Sequence, residues 1–431
     1  MEEKDREIND RQERALLVGV DLGTVGEDFE KSMEELASLA EACFMEPVGM
    51  VSQKMESVNQ GLYIGTGKVK EVKEAANALE ADILIFDDAL TPAQLRNLQK
   101  ELDMPILDRT TLILDIFETR ARTREAKLQV ESARLKYLLP RLVGMHKALT
   151  RQGGTSGSMS SRGAGEKKLE LDRRRIESRI SELSKELLEV SKERTVQRKK
   201  RLGSGVPLVA LVGYTNAGKS TIMNAMIDRY VKDNEKKVLE KDMLFATLET
   251  TVRRINTGNN KDFLLSDTVG FIHKLPHGLV KAFHSTLEEV ENADLLLHVA
   301  DCSDPYCKEH MKTTQETLAE LHAGEIPVIT VYNKADKSGE EFPYPQIVGD
   351  NKIYISAKEP DSIALLADMI LEKVYSDFVS AEFLIPYEKG NVVSYFMEHG
   401  QIISQKYQEM GTLLCTKCHK ADRDKYRQFL V

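Results

Sequence analysis

Gly213-Tyr214-Thr215-Asn216-Ala217-Gly218-Lys219-Ser220 is the stretch whose reading decides the fold. Glycines stand where a backbone must wrap a β-phosphate. Lys219 is placed to reach the β- and γ-phosphates, and the Ser220 hydroxyl to ligate Mg²⁺. The run Pro207 to Val212 before it predicts a strand, and Thr221 to Ile227 after it predicts a helix whose N-terminus adds positive potential. Strand, phosphate loop and helix in that order imply an α/β domain on a mostly parallel sheet.

Three downstream motifs narrow the reading from any nucleoside triphosphate to GTP. Asn333-Lys334-Ala335-Asp336 begins 114 residues beyond Lys219. Its aspartate can accept both the N1–H and the exocyclic N2–H₂ of guanine. Adenine offers an acceptor at N1 and would leave that carboxylate unpaired, which a buried site penalises. Asp267-Thr268-Val269-Gly270 follows a second apolar run. Its carboxylate would hold Mg²⁺ through water and its glycine amide would face the γ-phosphate. Ser356-Ala357-Lys358, after a third run, offers a backbone amide to guanine O6. A switch threonine must also ligate Mg²⁺, and Leu244-Phe245-Ala246-Thr247-Leu248-Glu249-Thr250-Thr251 is the candidate segment. Spacing alone leaves Thr247, Thr250 and Thr251 open. Phe271 stands after Gly270, where many GTPases place the glutamine that orients the attacking water, and a phenylalanine cannot do this.

The bulk numbers set the frame. A chain of 431 residues predicts about three domains. It has no apolar stretch of 18 residues and a polar, acidic start without a secretory core, so neither a membrane span nor export is expected. Five cysteines make no disulfide framework and fit a reducing cytosol. The net charge of −9 argues against general nucleic-acid coating, yet residues 120–201 carry 23 Lys/Arg against 10 Asp/Glu, a local +13 in a chain that is otherwise −22. That middle segment is either a polyanion contact or a solvated helical hairpin.

Residues 14–118 alternate strand-like runs (Ala15 to Val20, Ile83 to Phe86, Ile106-Leu107) with helical spacing at Phe29, Met33, Leu36, Ala40 and Cys43. Thr91-Pro92 reads as an N-cap and first turn. Leu128, Leu135, Leu138, Leu142, Met145 and Leu149 form one heptad seam, and Ile176, Ile180, Leu183, Leu187 and Val190 a second. The Gly/Ser-rich stretch 153–165 between them predicts an irregular loop joining two antiparallel helices. The domain limits expected are 1–118, 119–203, 204–379 and 380–431. Cys415-Thr416-Lys417-Cys418-His419 spells a haem-attachment string, but no export signal or second cysteine pair supports haem or zinc.

Three longer segments add a resemblance: Asp267 to Glu289; Phe86 to Leu98 with Asp108 to Gly144; and the loop and helix RQGG…RGAGEKKLELDRRRI. Over roughly residues 15–400 the chain resembles the HflX family of bacterial ribosome-associated GTPases. The resemblance implies a small α/β subdomain, a long antiparallel helical hairpin, a Ras-like P-loop GTPase domain and a small C-terminal α+β domain. It also implies contact with the large ribosomal subunit and its RNA, and a part in splitting or rescuing stalled ribosomes or in their biogenesis. Phe245-Ala246-Thr247-Leu248-Glu249 aligns with the family's F-A-T-L-D pattern, which makes Thr247 the implied Mg²⁺ ligand. The family's L-D-P-T-T-R becomes Leu248-Glu249-Thr250-Thr251-Val252-Arg253 here, a departure that loosens the switch. Asn216 resembles the phosphate-loop asparagine of GTPases that use K⁺ in place of an arginine finger. The expected site is therefore Gly213 to Ser220, Phe245 to Glu249, Asp267 to Gly270, Asn333 to Asp336 and Ser356 to Lys358. Lys219, Thr247, Gly270 and Asn216 are its catalytic members. The expected protein is a cytoplasmic monomer, in part at ribosomes or a membrane surface. A P-loop phosphotransferase acting on a small molecule, or an RNA-binding scaffold with vestigial hydrolysis, are the competing readings.

Overall fold

Short aliphatic and β-branched runs become the strands of one parallel and one mostly parallel sheet. The computed structural model describes residues 12–431 apart from 24–27, 153–158, 203–205, 232–243, 246–249, 259–261, 275, 277–288, 322, 339–342 and 377. The described residues group into two compact units. The first runs up to Val190 and includes 244–245, 273–274 and 276; the second holds the rest of the chain to Val431.

In the first unit, β1 (Arg14–Asp21), β2 (Glu46–Lys54), β3 (Ile83–Phe86) and β4 (Ile106–Asp108) form a sheet in the order β2-β1-β3-β4, all parallel. Helices α1 (Phe29–Ala42), α2 (Thr66–Ala78), α3 (Pro92–Leu102) and α4 (Arg109–Arg120) complete it. Leu16, Val18, Leu84 and Phe86 are fully buried at its centre. Thr91 caps α3 as expected and does so reciprocally: its hydroxyl accepts from Gln94 N–H while Gln94 Oε1 accepts from Thr91 N–H.

An ion cluster closes the end of β3. Arg109, 1% exposed, donates to Glu35 (2.7 Å), to the Asp87 carboxylate (2.8 Å) and to the Asp87 carbonyl (3.0 Å). Lys274 Nζ pairs with Asp87 at 2.7 Å and Asp88 at 2.8 Å. Burial alone would raise the Asp87 carboxyl, but Arg109 and Lys274 outweigh it and hold the group at about 2.

Helices α5 (Arg124–Gln152) and α6 (Met159–Leu202) form the long pair. Arg124 meets Glu186 at 2.9 Å and Arg179 meets Glu131 at 2.8 and 3.0 Å. Partner numbers fall on one helix as they rise on the other, so the two run antiparallel. The structure departs from the expected loop in one respect: residues 159–165 are the first turns of α6. Extending an existing long helix costs only propagation, so Gly163 and Gly165 do not break it. The rest of the expected loop, 153–158, lies outside the described residues.

In the second unit, β5 (Leu208–Gly213), β6 (Thr251–Asn256), β7 (Asp262–Asp267), β8 (Leu295–Asp301), β9 (Val328–Asn333), β10 (Gln346–Val348) and β11 (Lys352–Tyr354) make a seven-stranded sheet. Its order is β10-β11-β9-β8-β5-β7-β6. The two edges, β6 and β10, are antiparallel to their neighbours; the pairings between them are parallel. Helices α7 (Lys219–Tyr230), α8 (Cys307–Glu320) and α9 (Pro360–Val374) connect it. Strand β5 is flanked by β7 on one side and β8 on the other. The chain thus reverses its winding about β5, and open parallel sheets bind ligands at the carboxyl ends of strands at such a point.

The tail is an antiparallel sheet of β12 (Phe378–Ile385), β13 (Gln401–Gln408) and β14 (Gly411–His419), with helices α10 (Gly390–His399) and α11 (Lys420–Lys425). Cys418 is buried with Phe383, Phe396 and Leu414 in its core. Cys415, three residues earlier on the same strand, points to the other face, so the two thiols cannot converge on one ligand. No helix among the described residues is long and apolar enough to cross a membrane.

Candidate nucleotide site

Strand β5 delivers the glycine loop at the switch point of the sheet, and its two glycines are required by close approach. Gly213 has φ +148°, and a Cβ there would lie 2.2 Å from the Val299 carbonyl oxygen. Gly218 has φ +95°, and a Cβ there would lie 2.2 Å from Asn333 Nδ2. Asn216 between them also takes a left-handed conformation at φ +59°. Helix α7 starts at Lys219 directly after Gly218, so its first amides face the loop.

Lys219 is buried and donates to the carbonyls of Gly213 (2.9 Å) and Tyr214 (2.7 Å). Burial pushes its ammonium down to about 8, against the opposing pull of Asp267. Ser220 Oγ donates to Asp267 Oδ2 at 2.7 Å, so two of the expected Mg²⁺ ligands are brought together across β5 and β7. Both are hard oxygen donors of the kind Mg²⁺ selects. Thr268 donates to the Leu211 carbonyl at 2.6 Å, which fixes the turn carrying Val269 and Gly270. Gly270 passes so close that a Cβ there would sit 2.8 Å from Thr215 Cα and 3.1 Å from Lys219 Nζ.

Phe271 is 2% exposed and bonded to the phosphate loop by its backbone. Its carbonyl accepts from Thr215 N–H at 2.8 Å and its N–H donates to the Gly213 carbonyl at 3.2 Å. The ring faces the interior and offers no polar atom to a water molecule.

Asn333 joins three motifs. Its Nδ2 donates to the Ala217 carbonyl and its Oδ1 accepts from Ala357 N–H, both at 3.0 Å. Ser356 N–H donates to Ser362 Oγ at 3.2 Å, which holds the third loop on α9. The cavity these loops enclose measures about 200 Å³ and is lined by Gly218, Asn333, Lys334, Asp336, Ala357 and Lys358. Ala335 is buried, whereas Asp336 is exposed and among the residues lining the cavity.

Of the switch pattern, Phe245 is buried and meets Phe117 edge-on at 4.8 Å inside the first unit. Ala246, Thr247, Leu248 and Glu249 lie outside the described residues.

The structure adds residues that sequence reasoning did not single out. Asp301 ends β8 and pairs with Lys334. His310 stacks on Tyr214 with ring centres 3.8 Å apart. His298 is buried under the loop, and burial together with Lys219 holds its imidazole down at about 4. Asp301 alone left a signal in the sequence, as a carboxylate closing an apolar strand.

Comparison with known proteins agrees in kind. Residues 30–118 match the family model for a GTP-binding GTPase N-terminal region, 120–201 that for a GTP-binding GTPase middle region, and 208–334 that for a 50S ribosome-binding GTPase. The chain is 43% identical over 423 residues to the GTPase HflX of Caldanaerobacter subterraneus subsp. tengcongensis, covering 97% of this chain and 94% of that one. It is 38% identical over 409 residues to the GTPase HflX of Escherichia coli, covering 94% and 93%. Among solved structures, a GTP-binding protein from Sulfolobus solfataricus in complex with GDP is similar with 25% identity and a TM-score of 0.44, over 85% of this chain and 99% of that one.

Proposed function

This chain belongs to the HflX family of GTPases, and from that premise we propose that it is a GTP-driven switch read by the large ribosomal subunit. The observation that carries the proposal is the convergence on Asn333: one side chain bonds the phosphate loop and the Ser356-Ala357-Lys358 loop together, so base and phosphate sites form one cavity.

In this reading the amides of Gly213 to Ser220 and the start of α7 hold the β-phosphate, and Lys219 turns from the loop carbonyls to the β- and γ-phosphates. Asp336 accepts the guanine N1–H and N2–H₂, and an amide of Ser356 to Lys358 meets O6. Ser220, Asp267 through water, and Thr247 would hold Mg²⁺, which when bound neutralises charge between the β- and γ-phosphates. Gly270 offers its N–H to the γ-phosphate. The buried Phe271 leaves the attacking water without a side-chain partner from that position, so intrinsic turnover is slow and the ribosomal partner completes the site. Asn216, in its left-handed conformation, is the proposed K⁺ ligand. Hydrolysis is expected to run faster in K⁺ than in Na⁺, and equal rates in matched salts would remove K⁺ from the account.

The four-part division at 118, 203 and 379 belongs to the same proposal, with the +13 helical pair as the RNA-facing part. So does a monomer acting in the cytoplasm, in part on ribosomes. Its biological task is proposed as splitting, rescue or assembly of ribosomes. Sedimentation with isolated large subunits across nucleotide states tests the whole.

A further inference from the structure

The turn that leaves β8 grips the guanine motif at three points. Cys302 donates to the Asn333 carbonyl from its N–H (3.0 Å) and from its thiol (3.1 Å). Asp301, opposite Asn333 in the β8–β9 register, pairs through Oδ2 with Lys334 Nζ at 2.8 Å. Its other oxygen, Oδ1, accepts from Ser303 N–H at 3.0 Å and from Ser303 Oγ at 2.6 Å. The pair is largely shielded, with side-chain exposures of 17% for Asp301 and 19% for Lys334.

Lys334 carries its ammonium two residues from Asp336, and both line the same cavity. Lys334 itself sits at φ +62°, which turns the chain sharply between Asn333 and Asp336. An ammonium at that wall is a competitor for the Asp336 carboxylate. Both partners would make charge-assisted hydrogen bonds to that carboxylate, but the ammonium adds a full positive charge of its own where the guanine N1–H and N2–H₂ do not. A selective base site therefore needs the ammonium engaged elsewhere.

We propose that Asp301 is a specificity-determining positioning residue, which holds the Lys334 ammonium away from Asp336 and so leaves that carboxylate to the two donors of guanine. The inference rests on the assignment of Asp336 to the base. Asp301 acts through Lys334 and does not touch the nucleotide.

Inosine triphosphate is the discriminating probe, because hypoxanthine keeps N1–H and lacks the exocyclic amine. D301N is the selective variant. Its amide oxygen still accepts from Ser303, so the turn is retained, while the charge that holds Lys334 is lost. In steady-state hydrolysis by the full chain, KM for GTP is expected to rise about tenfold in D301N, the equivalent of about 1.4 kcal/mol. KM for ITP should rise by less, and kcat should be unchanged, so the preference for GTP contracts. In a K334M background the ammonium is gone, and D301N adds no further loss of the preference for GTP over ITP beyond that of K334M itself.

Equal rises in KM for GTP and ITP would overturn the proposal, since a merely structural loss affects both alike. So would an undiminished effect of D301N in K334M. Should D301N fail to fold, D301S takes its place, with the same expected results and the same overturning ones. D336N separates the two levels of the argument. If it leaves the preference for GTP over ITP intact, the assignment of Asp336 to guanine has failed and takes this inference with it. If it collapses that preference while D301N does nothing, the assignment stands and only the role of Asp301 falls.

Discussion

Lys219→Ala is expected to abolish measurable GTP turnover and to weaken GDP binding by two to three decades. Lys219 is buried and bonded to two loop carbonyls, and in the proposed site its ammonium turns to the phosphates. Its loss leaves phosphate charge in a shielded site without its partner, at a cost on the order of 3–5 kcal/mol. Equilibrium titration with a fluorescent GDP analogue checks the affinity, and phosphate release checks turnover.

The wild type carries a pH signature of the same residue. Burial holds the free ammonium at about 8. Phosphate beside it raises that value in the complex. Below about 8 the free protein is already protonated and affinity is flat. Above it, binding must take up a proton, so GDP affinity falls by up to about tenfold per pH unit until the pKa of the complex is reached. In K219A the dependence disappears. Flat affinity from pH 7 to 9.5 in the wild type would contradict a Lys219 ammonium that burial depresses in the free protein and phosphate recharges.

Asp336→Asn is expected to exchange guanine for xanthine. A carboxylate accepts both donors of guanine. An asparagine amide accepts N1–H but sets its own NH₂ against N2–H₂, two donors face to face. Xanthine replaces that amine with a carbonyl and satisfies the amide. GTP affinity should fall on the order of a hundredfold or more and XTP should become the better substrate, because a hydrogen-bonding site rejects a mismatched donor pattern strongly. Competition of GTP and XTP for the labelled site measures the exchange. The exposed position of Asp336 at the cavity wall makes the test clean, since no packing is disturbed. Unchanged preference would move base recognition to other residues.

The sequence was most legible where function is written locally. The phosphate loop, Asp267 to Gly270 and Asn333 to Asp336 each sit at the end of an apolar strand, and an apolar run bounded by a loop motif needs no tertiary knowledge to read. Strand β3 and the Thr91 cap were legible for the same reason. Strand β2 was not: Pro47 and Gly49 interrupt its pattern, and it is a half-exposed edge whose partner β1 lies more than thirty residues away. The edge β10 is three exposed residues, and the edge β6 is only partly buried and mixes Thr, Arg and Asn with its apolar residues, so both carry little hydrophobic signal. Helix α4 begins at Arg109 with no intervening loop after β4, Asp108 serving as its N-cap with a side chain that accepts from Thr111 N–H, and nothing marks the change of period.

Within the candidate site, the N-K-x-D spacing singled out Asn333, but its place as the joint between loops was not legible, because Ala217 and Ala357 meet it only after folding. Asp301 escaped notice for the same physical reason. Its partner lies on the next strand of the sheet, 33 residues on, and no local pattern connects them. The Arg109 cluster is the clearest case in the first unit. A charged residue after a short strand reads as surface, yet pairing with Glu35 and Asp87 makes it one of the largest fully buried side chains among the described residues.

In the proposed function, nucleotide state decides ribosome contact. It is tested most directly by sedimenting the full chain with purified large ribosomal subunits in a non-hydrolysable GTP analogue, in GDP, and without nucleotide. The account predicts co-sedimentation with the analogue and little with GDP or without nucleotide. Equal binding in all three states would contradict it and favour an RNA-binding scaffold, and no binding in any state would remove the ribosome from the account.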